Sequence, residues 1–368
     1  MLLLRERRGK ALVAISASSF LVIGVQMIYP VLLPELRETY GFSLASGGLL
    51  LGILWLMNAI GQLPGGVLAD HIGERETLVF SVLICATTLL VVVASQSMLV
   101  LFGATACFGL GIGLLGVARY TVLEALFSDR LGTSVGVVLA AADGGQALLP
   151  PVAASLAVIA WQVGFGFTLP VFVLVAGSLW LYVPVSESQS SDGLEVSLEG
   201  IRRVVAALHA RDIGYGTLLL ALYVIILVTF TSLYPTYLVE SKGFTQTTAA
   251  TLFGLFFGLG VIVKPISGGL YDRIGVSRSL LALAVVSGVG LTVLPMVEET
   301  AVLAAVTVLV APILGSGTVS QSYLLERLLD EISGTVFGVI RTGVFALAAG
   351  SPAVFGAVAD RGYFDAVF

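Results

Sequence analysis

One short segment of this chain occurs twice, and the two copies define an internal repeat. Residues 66–73 read GVLADHIG and residues 268–275 read GGLYDRIG, so that Asp70 and Asp272 lie 202 positions apart. The same offset, without any gap, aligns identical residues elsewhere in the chain: Gly41 with Gly243, Gly52 with Gly254, Glu124 with Glu326, Gly132 with Gly334, and Pro150 with Pro352. The chain is therefore predicted to contain two copies of one structural unit.

The composition of the chain restricts these units to a membrane. Hydrophobic residues make up 57% of the chain and charged residues only 11%, and the mean hydropathy is +1.04. A soluble domain carries about a quarter charged residues, so this chain could not cover a water-exposed surface. Its apolar runs are long enough for transmembrane helices rather than barrel strands, and we predict an all-α polytopic membrane protein.

Eleven apolar runs are predicted to span the bilayer, because each has the roughly 17–25 residues, or somewhat more with tilt, that a span needs. In chain order, the predicted spans 1 to 11 are residues 11–33, 45–69, 77–95, 98–126, 133–158, 164–184, 213–236, 246–271, 278–296, 300–325 and 335–358. Ser43, Thr245, Thr133 and Thr335 are expected to cap spans 2, 8, 5 and 11. Twelve of the 18 lysines and arginines lie in loops on the N-terminal side and three in the opposite loops, which predicts a cytoplasmic N-terminus.

The repeat and one long polar connection divide the chain into two pseudo-symmetric helical bundles. We predict a six-helix N-terminal bundle over residues 1–185, a cytoplasmic linker with an amphipathic helix over residues 186–212, and a five-helix C-terminal bundle over residues 213–368. By the offset, the counterpart of span 6 would begin at Tyr363, five residues before the end, so we expect the twelfth helix of a 6 + 6 arrangement to be missing. Such repeats in an apolar chain are typical of membrane transporters.

These features together resemble the major facilitator superfamily of secondary transporters, whose fold has two six-helix halves. The family signature, G-x-L-A-D-R/K-x-G-R/K-R/K-x-x-L, is matched at Gly66, Leu68, Ala69, Asp70, Gly73, Arg75 and Leu78. The second copy matches at Gly268, Leu270, Asp272, Arg273, Gly275 and Leu280. The first copy departs from the pattern at His71 and Glu74, and the second has Val276 and Ser277 in place of the basic pair. The resemblance covers the whole chain except the twelfth helix.

The duplicated motif is predicted to act as a conformational gate, formed by Gly66, Asp70, Gly73, Arg75, Gly268, Asp272, Arg273 and Gly275. The first glycine of each copy allows a neighbouring helix to approach closely, and the last permits the positive φ of a tight turn. The resemblance implies that the two aspartates meet the positive N-terminal ends of spans 11 and 5, respectively. Such contacts would hold the cytoplasmic side closed and break when the protein opens inward.

Ionisable residues inside spans cost about 2.5–3.5 kcal/mol each on insertion scales and are therefore candidates for function. We expect Asp143 in span 5 and Lys264 in span 8 to pair across the two halves or to share a solute carboxylate, with Arg341 in span 11, facing Asn58 and Gln62 of span 2, as a second anion contact. The alternative is that Lys264 snorkels to the cytoplasm and that Asp143 is protonated and hydrogen-bonded within its own half. Arg119 and Glu124, near the cytoplasmic end of span 4, are assigned a structural role because such side chains snorkel or pair locally. A polar cavity could be lined by Gln26, Tyr29, Asn58, Gln62, Gln146 and Tyr223. For each of these, an ordinary interhelical hydrogen bond is the alternative.

The sequence therefore predicts a secondary active transporter that moves a small organic solute by alternating access. Two cations against one acid in the spans favour an anionic solute. The alternatives are a proton-coupled drug exporter and a transporter-like membrane protein that senses or scaffolds. Thr105 occupies the position at which drug–proton antiporters carry an arginine, which disfavours the exporter. The expected partners are the solute, a coupling ion such as a proton, and the lipid bilayer, for a monomer in the plasma membrane.

Other classes of function find no support in the sequence. The two histidines, His71 and His209, lie far apart, and the chain has no H-E-x-x-H, nucleophile elbow or phosphate loop, so no enzyme is predicted. Cys85 and Cys107 lie inside apolar runs and indicate neither a disulfide nor a metal site, and we predict no metal and no cofactor. The net charge is −5, without a basic patch interleaved with aromatics, which excludes nucleic acid as a partner.

Overall fold

The structure, a computed structural model, describes residues 2–185, 211–327 and 333–368. These residues form helices joined by short turns, as hydrocarbon requires of a backbone that has no water to bond to. The helices before residue 185 are α1 (Leu2–Gln26), α2 (Ile28–Val31), α3 (Leu33–Tyr40), α4 (Leu44–Ile72), α5 (Glu74–Ala94), α6 (Met98–Phe127), α7 (Leu131–Ala157), α8 (Trp161–Gly166) and α9 (Leu169–Tyr182). The later helices are α10 (Arg211–Glu240), α11 (Gln246–Val293), α12 (Thr300–Val310), α13 (Pro312–Arg327), α14 (Ser333–Ala348) and α15 (Ser351–Ala359). The predicted amphipathic helix of the linker lies outside the described residues.

Nine helical runs in the described part of the chain are long and apolar enough to cross a membrane. Two of them, Met98–Ala157 with 60 residues and Gln246–Met296 with 51, have about twice the length that one crossing needs. A 3-10 turn at Ser128–Arg130 divides the first run into α6 and α7, and a non-helical Gly275 interrupts the second. With these two breaks the runs match the eleven predicted spans, and the all-α polytopic fold is confirmed.

The internal repeat is visible in the backbone as well as in the sequence. Gly41 and Gly243 have φ angles of 69° and 68°, and Gly73 and Gly275 have φ angles of 96° and 77°. Residues with a Cβ rarely adopt positive φ, so each pair marks a turn that requires glycine. Because both pairs are separated by the offset of 202 residues, the two copies of the repeat turn the chain at equivalent positions.

The chain divides into two compact units. The first comprises Met1–Gly41 and Ile53–Leu194, and the second comprises Phe42–Gly52 and Glu195–Phe368. The division therefore falls inside α4, whose first residues belong to the second unit. The predicted domain boundaries, at residues 186 and 212, enclose a segment that the structure leaves almost wholly undescribed, and they stay a prediction.

In the first unit, small residues let pairs of helices approach until their backbones touch. A Cβ at Gly61 of α4 would lie 2.6 Å from the carbonyl oxygen of Leu110 on α6, and one at Gly113 of α6 would overlap the carbonyl oxygen of Asn58. Helices α1 and α7 meet in the same way, since a Cβ at Gly145 would overlap the backbone of α1. Lipid tails are as apolar as leucine, so close packing of this kind is what holds membrane helices together.

In the second unit, the first two turns of α4 pack against α15 and the residues just before it. A Cβ at Gly48 would overlap the carbonyl oxygen of Pro352, and one at Gly52 would overlap that of Ala349. The two glycines are four residues apart and therefore lie on one face of α4. No larger residue fits at either position without a shift of the backbone.

The N-terminus of α4 is capped twice. The hydroxyl of Ser43 accepts a hydrogen bond from the Ser46 N–H at 3.2 Å, as predicted. In addition, the Asp360 carboxylate, just beyond α15, accepts hydrogen bonds from the N–H groups of Leu44 at 2.9 Å and Ala45 at 2.8 Å. A carboxylate at this position pairs backbone donors that the helix leaves unsatisfied and complements the helix dipole.

The other predicted caps have different outcomes. Thr245 caps α11, because its hydroxyl accepts a hydrogen bond from the Thr248 N–H at 3.2 Å. The prediction for Thr133 is wrong: α7 already begins at Leu131, directly after the 3-10 turn, so Thr133 lies within the first turn of the helix. Thr335 lies within α14, and its side chain is not among those described.

We expect Gly48→Ala and Gly52→Ala each to destabilise the protein by about 1–3 kcal/mol, because overpacking forces the backbones apart. The matched control is Gly103→Ala, since a Cβ at that exposed helical position meets no atom within 4 Å. The control should be neutral or stabilising by up to about 1 kcal/mol through helix propensity. Thermal unfolding of the purified protein in detergent measures both, and equal effects at the three positions would contradict the close approach of α4 and α15.

Burial raises the pKa of Glu35, on the short helix α3 beyond the first span, to about 7. The folded protein therefore binds a proton at this carboxyl more tightly than the unfolded chain does. Stability from this group is full below the unfolded pKa of about 4.5 and is lost as the pH rises through about 7. We expect Glu35→Gln to raise the melting temperature at about pH 8 and to change it little at about pH 5. The exposed Glu38→Gln is the control, and an equal pH response in both variants would refute the assignment.

Candidate functional site

Arg119 is a buried cation on α6. Only 8% of its surface is exposed. One terminal nitrogen donates to the Ser19 hydroxyl at 3.4 Å, and the other donates to the Tyr120 hydroxyl at 3.2 Å. Its Nε has no hydrogen-bond partner, and no carboxylate within the described residues forms an ion pair with it. Arg119 therefore does not snorkel to the surface, but it does pair locally, with Tyr120, and Glu124 is exposed as a structural role allows.

Further polar groups of the first unit are buried without partners. The side-chain nitrogen of Gln26, on α1, has no hydrogen-bond partner and the residue is 2% exposed. The hydroxyls of Tyr29 and Thr105 are buried near each other, without a third partner among the described residues. The Tyr29 ring packs against Phe108 and Phe165, with centroid distances of 5.6 Å and 4.8 Å. Buried polar groups normally have partners, so this region of α1, α2 and α6 contains hydrogen-bonding capacity that the described residues do not use.

Asp143 is a buried carboxylate on α7, with 7% of its surface exposed. The side-chain amide of Gln146, one turn further along, donates to its Oδ1 at 3.2 Å. Asp143 lies twelve residues after the start of α7, which corresponds to a depth of about 18 Å at 1.5 Å per residue. The predicted site residues Asp143 and Gln146 are thus in contact. Asn58 and Gln62 are half-buried on α4, where the backbone of Asn58 packs against α6.

The other predicted site residues belong to the second unit. Tyr223, on α10, packs its ring against Gly317 of α13, where a Cβ would overlap the ring. Lys264 on α11 and Arg341 on α14 are both half-buried, and the Arg341 guanidinium lies 5.7 Å from the centroid of the Phe345 ring. The pairing of Asp143 with Lys264, and the placement of Arg341 opposite Asn58 and Gln62, would join the two units and stay predictions.

The first copy of the gate motif forms the turn between α4 and α5. Gly66 is buried in α4, and Gly73 makes the turn with its positive φ. Arg75 donates to the Glu76 carboxylate at 2.6 Å, and its guanidinium lies 4.1 Å from the centroid of the Trp180 ring. Arg75 is therefore held within its own unit by an acid and an aromatic ring. The side chain of Asp70 is outside the description, so its predicted contact with span 11 stays a prediction.

The second copy of the motif lies within the long helix α11. Gly275 breaks the helix, with φ 77° and ψ 174°, between the two parts that correspond to spans 8 and 9. Gly268 is half-buried, while Asp272 and Arg273 are exposed. The predicted contact of Asp272 with the start of span 5 concerns the other unit and stays a prediction.

Sequence reasoning missed the burial of Arg119 because it placed the residue by its distance from the end of a span. Arg119 precedes the end of α6 by eight residues, about 12 Å, which its long side chain was expected to bridge. A signal was nevertheless present in the sequence. Ser19 interrupts the apolar run of span 1 at a comparable distance from the predicted start of that span.

The described residues provide no metal centre: within them, no three His, Cys, Asp or Glu side chains could hold a metal ion together. What the geometry offers instead is a set of buried or half-buried charges within apolar helices. Such charges are expensive in a membrane and mark substrate or ion pathways.

Comparisons with known proteins agree with this description. No curated protein sequence matches the chain significantly. Among solved structures, a bacterial homologue of the human lysosomal transporter Spinster, inward-facing and occupied, has a TM-score of 0.77 at 14% identity, covering 95% of this chain and 81% of that chain. A mutant of the nucleoside transporter NupG has a TM-score of 0.77 at 13% identity, covering 95% and 92%. These likenesses show the fold.

The family is shown by the sequence itself. Residues 15–352, nearly the whole chain, match the family model described as Major Facilitator Superfamily. This agrees with the duplicated motif, the membrane-spanning helices and the fold of the solved transporters. The chain belongs to the Major Facilitator Superfamily of transporters.

Proposed function

We propose that the protein is a secondary active transporter that moves a small organic anion across the plasma membrane by alternating access, as a monomer with a cytoplasmic N-terminus. One observation carries the anionic character of the solute. Within the predicted spans, three cations, Arg119, Lys264 and Arg341, are buried or half-buried, whereas Asp143 is the buried acid. An excess of positive charge in a site of low dielectric favours a negatively charged solute.

The energetics of buried charge give this proposal a mechanism. Removing an ion from water costs several kcal/mol, which only a well-placed opposite charge recovers. A solute anion would supply that charge and would stabilise the conformation that surrounds it. A ligand shifts a conformational equilibrium only if it binds one conformation more tightly than the other. The anion would bind most tightly to the conformation in which the helices close around it, and this difference would couple anion binding to the conformational change.

Asp143 is the residue through which we propose that a coupling ion acts. A carboxylate changes its charge when it binds a proton, so it can exchange a proton for a positive partner such as Lys264. The proposed cross-unit pair would be intact in the absence of solute and would open when a solute carboxylate replaces Asp143. The duplicated gate motif would then control on which side the site is open.

Counterflow in proteoliposomes tests the function as a whole. Vesicles loaded with an unlabelled organic anion should take up the labelled anion, and uptake should saturate with concentration. A panel of dicarboxylates, phosphate monoesters and aromatic carboxylates covers the class. A sensor or scaffold would exchange none of them. A proton-coupled drug exporter would instead move lipophilic cations when a pH gradient is applied.

We expect Asp143→Asn and Lys264→Ala each to reduce counterflow by at least about tenfold, which corresponds to about 1.4 kcal/mol. Each single variant leaves one charge without its proposed partner, and the double variant should recover part of the activity because no buried charge remains unpaired. Glu299→Gln, an exposed residue at the start of α12 without a side-chain cap, is the control and should be unaffected. Full activity in both single variants would refute the pair.

A further inference from the structure

We infer that Arg119 binds the negatively charged group of the transported solute, a carboxylate or a phosphate, in a subsite that α1 and α6 form within the first unit. This inference rests on the proposed function and names the residue that recognises the anion. Within the described residues, Arg119 contacts the Ser19 hydroxyl, the Tyr120 hydroxyl and the Tyr120 ring, whose centroid lies 4.8 Å from the guanidinium carbon. All of these partners are neutral.

The charge of Arg119 is therefore not balanced within the described residues. A guanidinium cannot lose its proton at any ordinary pH, so it does not escape the cost of burial by becoming neutral. Two hydroxyls satisfy hydrogen bonds but do not compensate a full charge in a medium of low dielectric. The contact with Ser19, at 3.4 Å, is also at the long end of hydrogen-bond distances. A negatively charged group is therefore needed to compensate the charge of the Arg119 guanidinium.

The unused donors of Arg119 fit a group with two oxygens. A guanidinium carries five N–H donors, of which two are used, by Ser19 and Tyr120. The Nε–H is unused, and each terminal nitrogen keeps a second hydrogen. Two parallel N–H groups on one edge match the oxygens of a carboxylate or a phosphate, which is the strongest common arrangement for arginine. Ser19 and Tyr120 would hold the plane of the guanidinium in the orientation that this contact requires.

The position of Arg119 also fits a transported solute. It lies about 12 Å from the cytoplasmic end of α6, beyond the reach of an interfacial lipid headgroup but within the crossing part of the helix. Further along α1, Gln26 has a buried amide nitrogen without a partner. These unused donors on α1 and α6 favour an anion at this part of the first unit.

A purely structural role for Arg119 makes the opposite prediction about stability. If the protein needs Arg119 to hold α1 and α6 together, Arg119→Gln should lower the melting temperature. If Arg119 waits for an anion, the same substitution removes an uncompensated buried charge and should raise the melting temperature of the ligand-free protein. The sign of the shift therefore separates the two roles before any transport is measured.

Thermal unfolding of the full chain in detergent, with succinate, glycerol 3-phosphate or inorganic phosphate as probes, tests the inference. The wild type should melt at a higher temperature as one of these anions is added, because a ligand that binds the folded state stabilises it. Arg119→Gln should melt higher than the wild type without anion and lose the anion-dependent rise. Arg119→Lys keeps the charge but not the planar guanidinium edge, so this variant should keep part of the anion-dependent rise in melting temperature. Stabilisation by succinate alone would assign a carboxylate, and stabilisation by both phosphates would assign a phosphate.

Arg327→Gln is the matched control. Arg327 is exposed, pairs with Asp212 at 3.4 Å, and should keep the full response to the anion. The inference is overturned if Arg119→Gln melts lower than the wild type and still responds to the anion. It is also overturned if none of the three anions stabilises the wild type.

Counterflow separates a failure of this inference from a failure of the proposed function. If the wild type exchanges an organic anion and Arg119→Gln does so with an unchanged KM, only the subsite is wrong. If the subsite is right, the KM of Arg119→Gln should rise by at least about tenfold. If the wild type exchanges no anion at all, the proposed function fails, and the thermal experiment still reports on anion binding at Arg119.

Discussion

The absence of water from the hydrocarbon core of a bilayer is the constraint on which the rest of this structure depends. It forces every backbone group into helical hydrogen bonds, and it removes the hydrophobic effect as a reason for helices to associate. The helices are then held together by van der Waals contact, and close contact between helix backbones requires small residues. Gly61 and Gly113 in the first unit, and Gly48 and Gly52 in the second, bring backbones together where a single Cβ would overlap.

The same constraint makes each polar group within the helices informative. On a water-exposed surface a hydroxyl or an arginine is solvated at little cost, whereas within hydrocarbon it must be paired inside the protein or meet a partner that binds and leaves. The sequence places few charges in its spans, and the structure buries Arg119 and Asp143 in the same unit. Asp143 has Gln146 as a hydrogen-bond donor. Among the described residues, Arg119 contacts only neutral partners, which is why the proposed anion subsite is centred on it.

Features that depend on local geometry could be predicted from the sequence. The offset between the two copies predicted equivalent turns, and Gly73 and Gly275 both have positive φ. Hydrophobic length predicted the spans, and the caps at Ser43 and Thr245 follow from a hydroxyl placed just before a helix. Each of these depends on residues a few positions apart in the chain.

Features that depend on distant residues could not be predicted. The Asp360 carboxylate caps a helix that begins 316 residues earlier, and no local pattern connects the two. The exposure of the Arg119 side chain depends on how the neighbouring helices pack around it, and hydrophobic periodicity does not predict that packing. The candidate site is made of side chains from several helices, so the pairings that the sequence suggests within it stay predictions.

Helix α4 has a mechanical property that follows from its place in the chain. Its first residues, Leu44 to Gly52, belong to one unit and the remaining residues belong to the other, so one continuous helix is shared by both units. Its N-terminal end is held by hydrogen bonds to the Asp360 carboxylate. Pro64, inside the helix, lacks the N–H that would complete the ladder and is the weakest point along its length. A bend at Pro64 would therefore change the direction of the last turns of α4, which lead into the Gly73 turn, without altering the hydrogen bonds that cap its first turn.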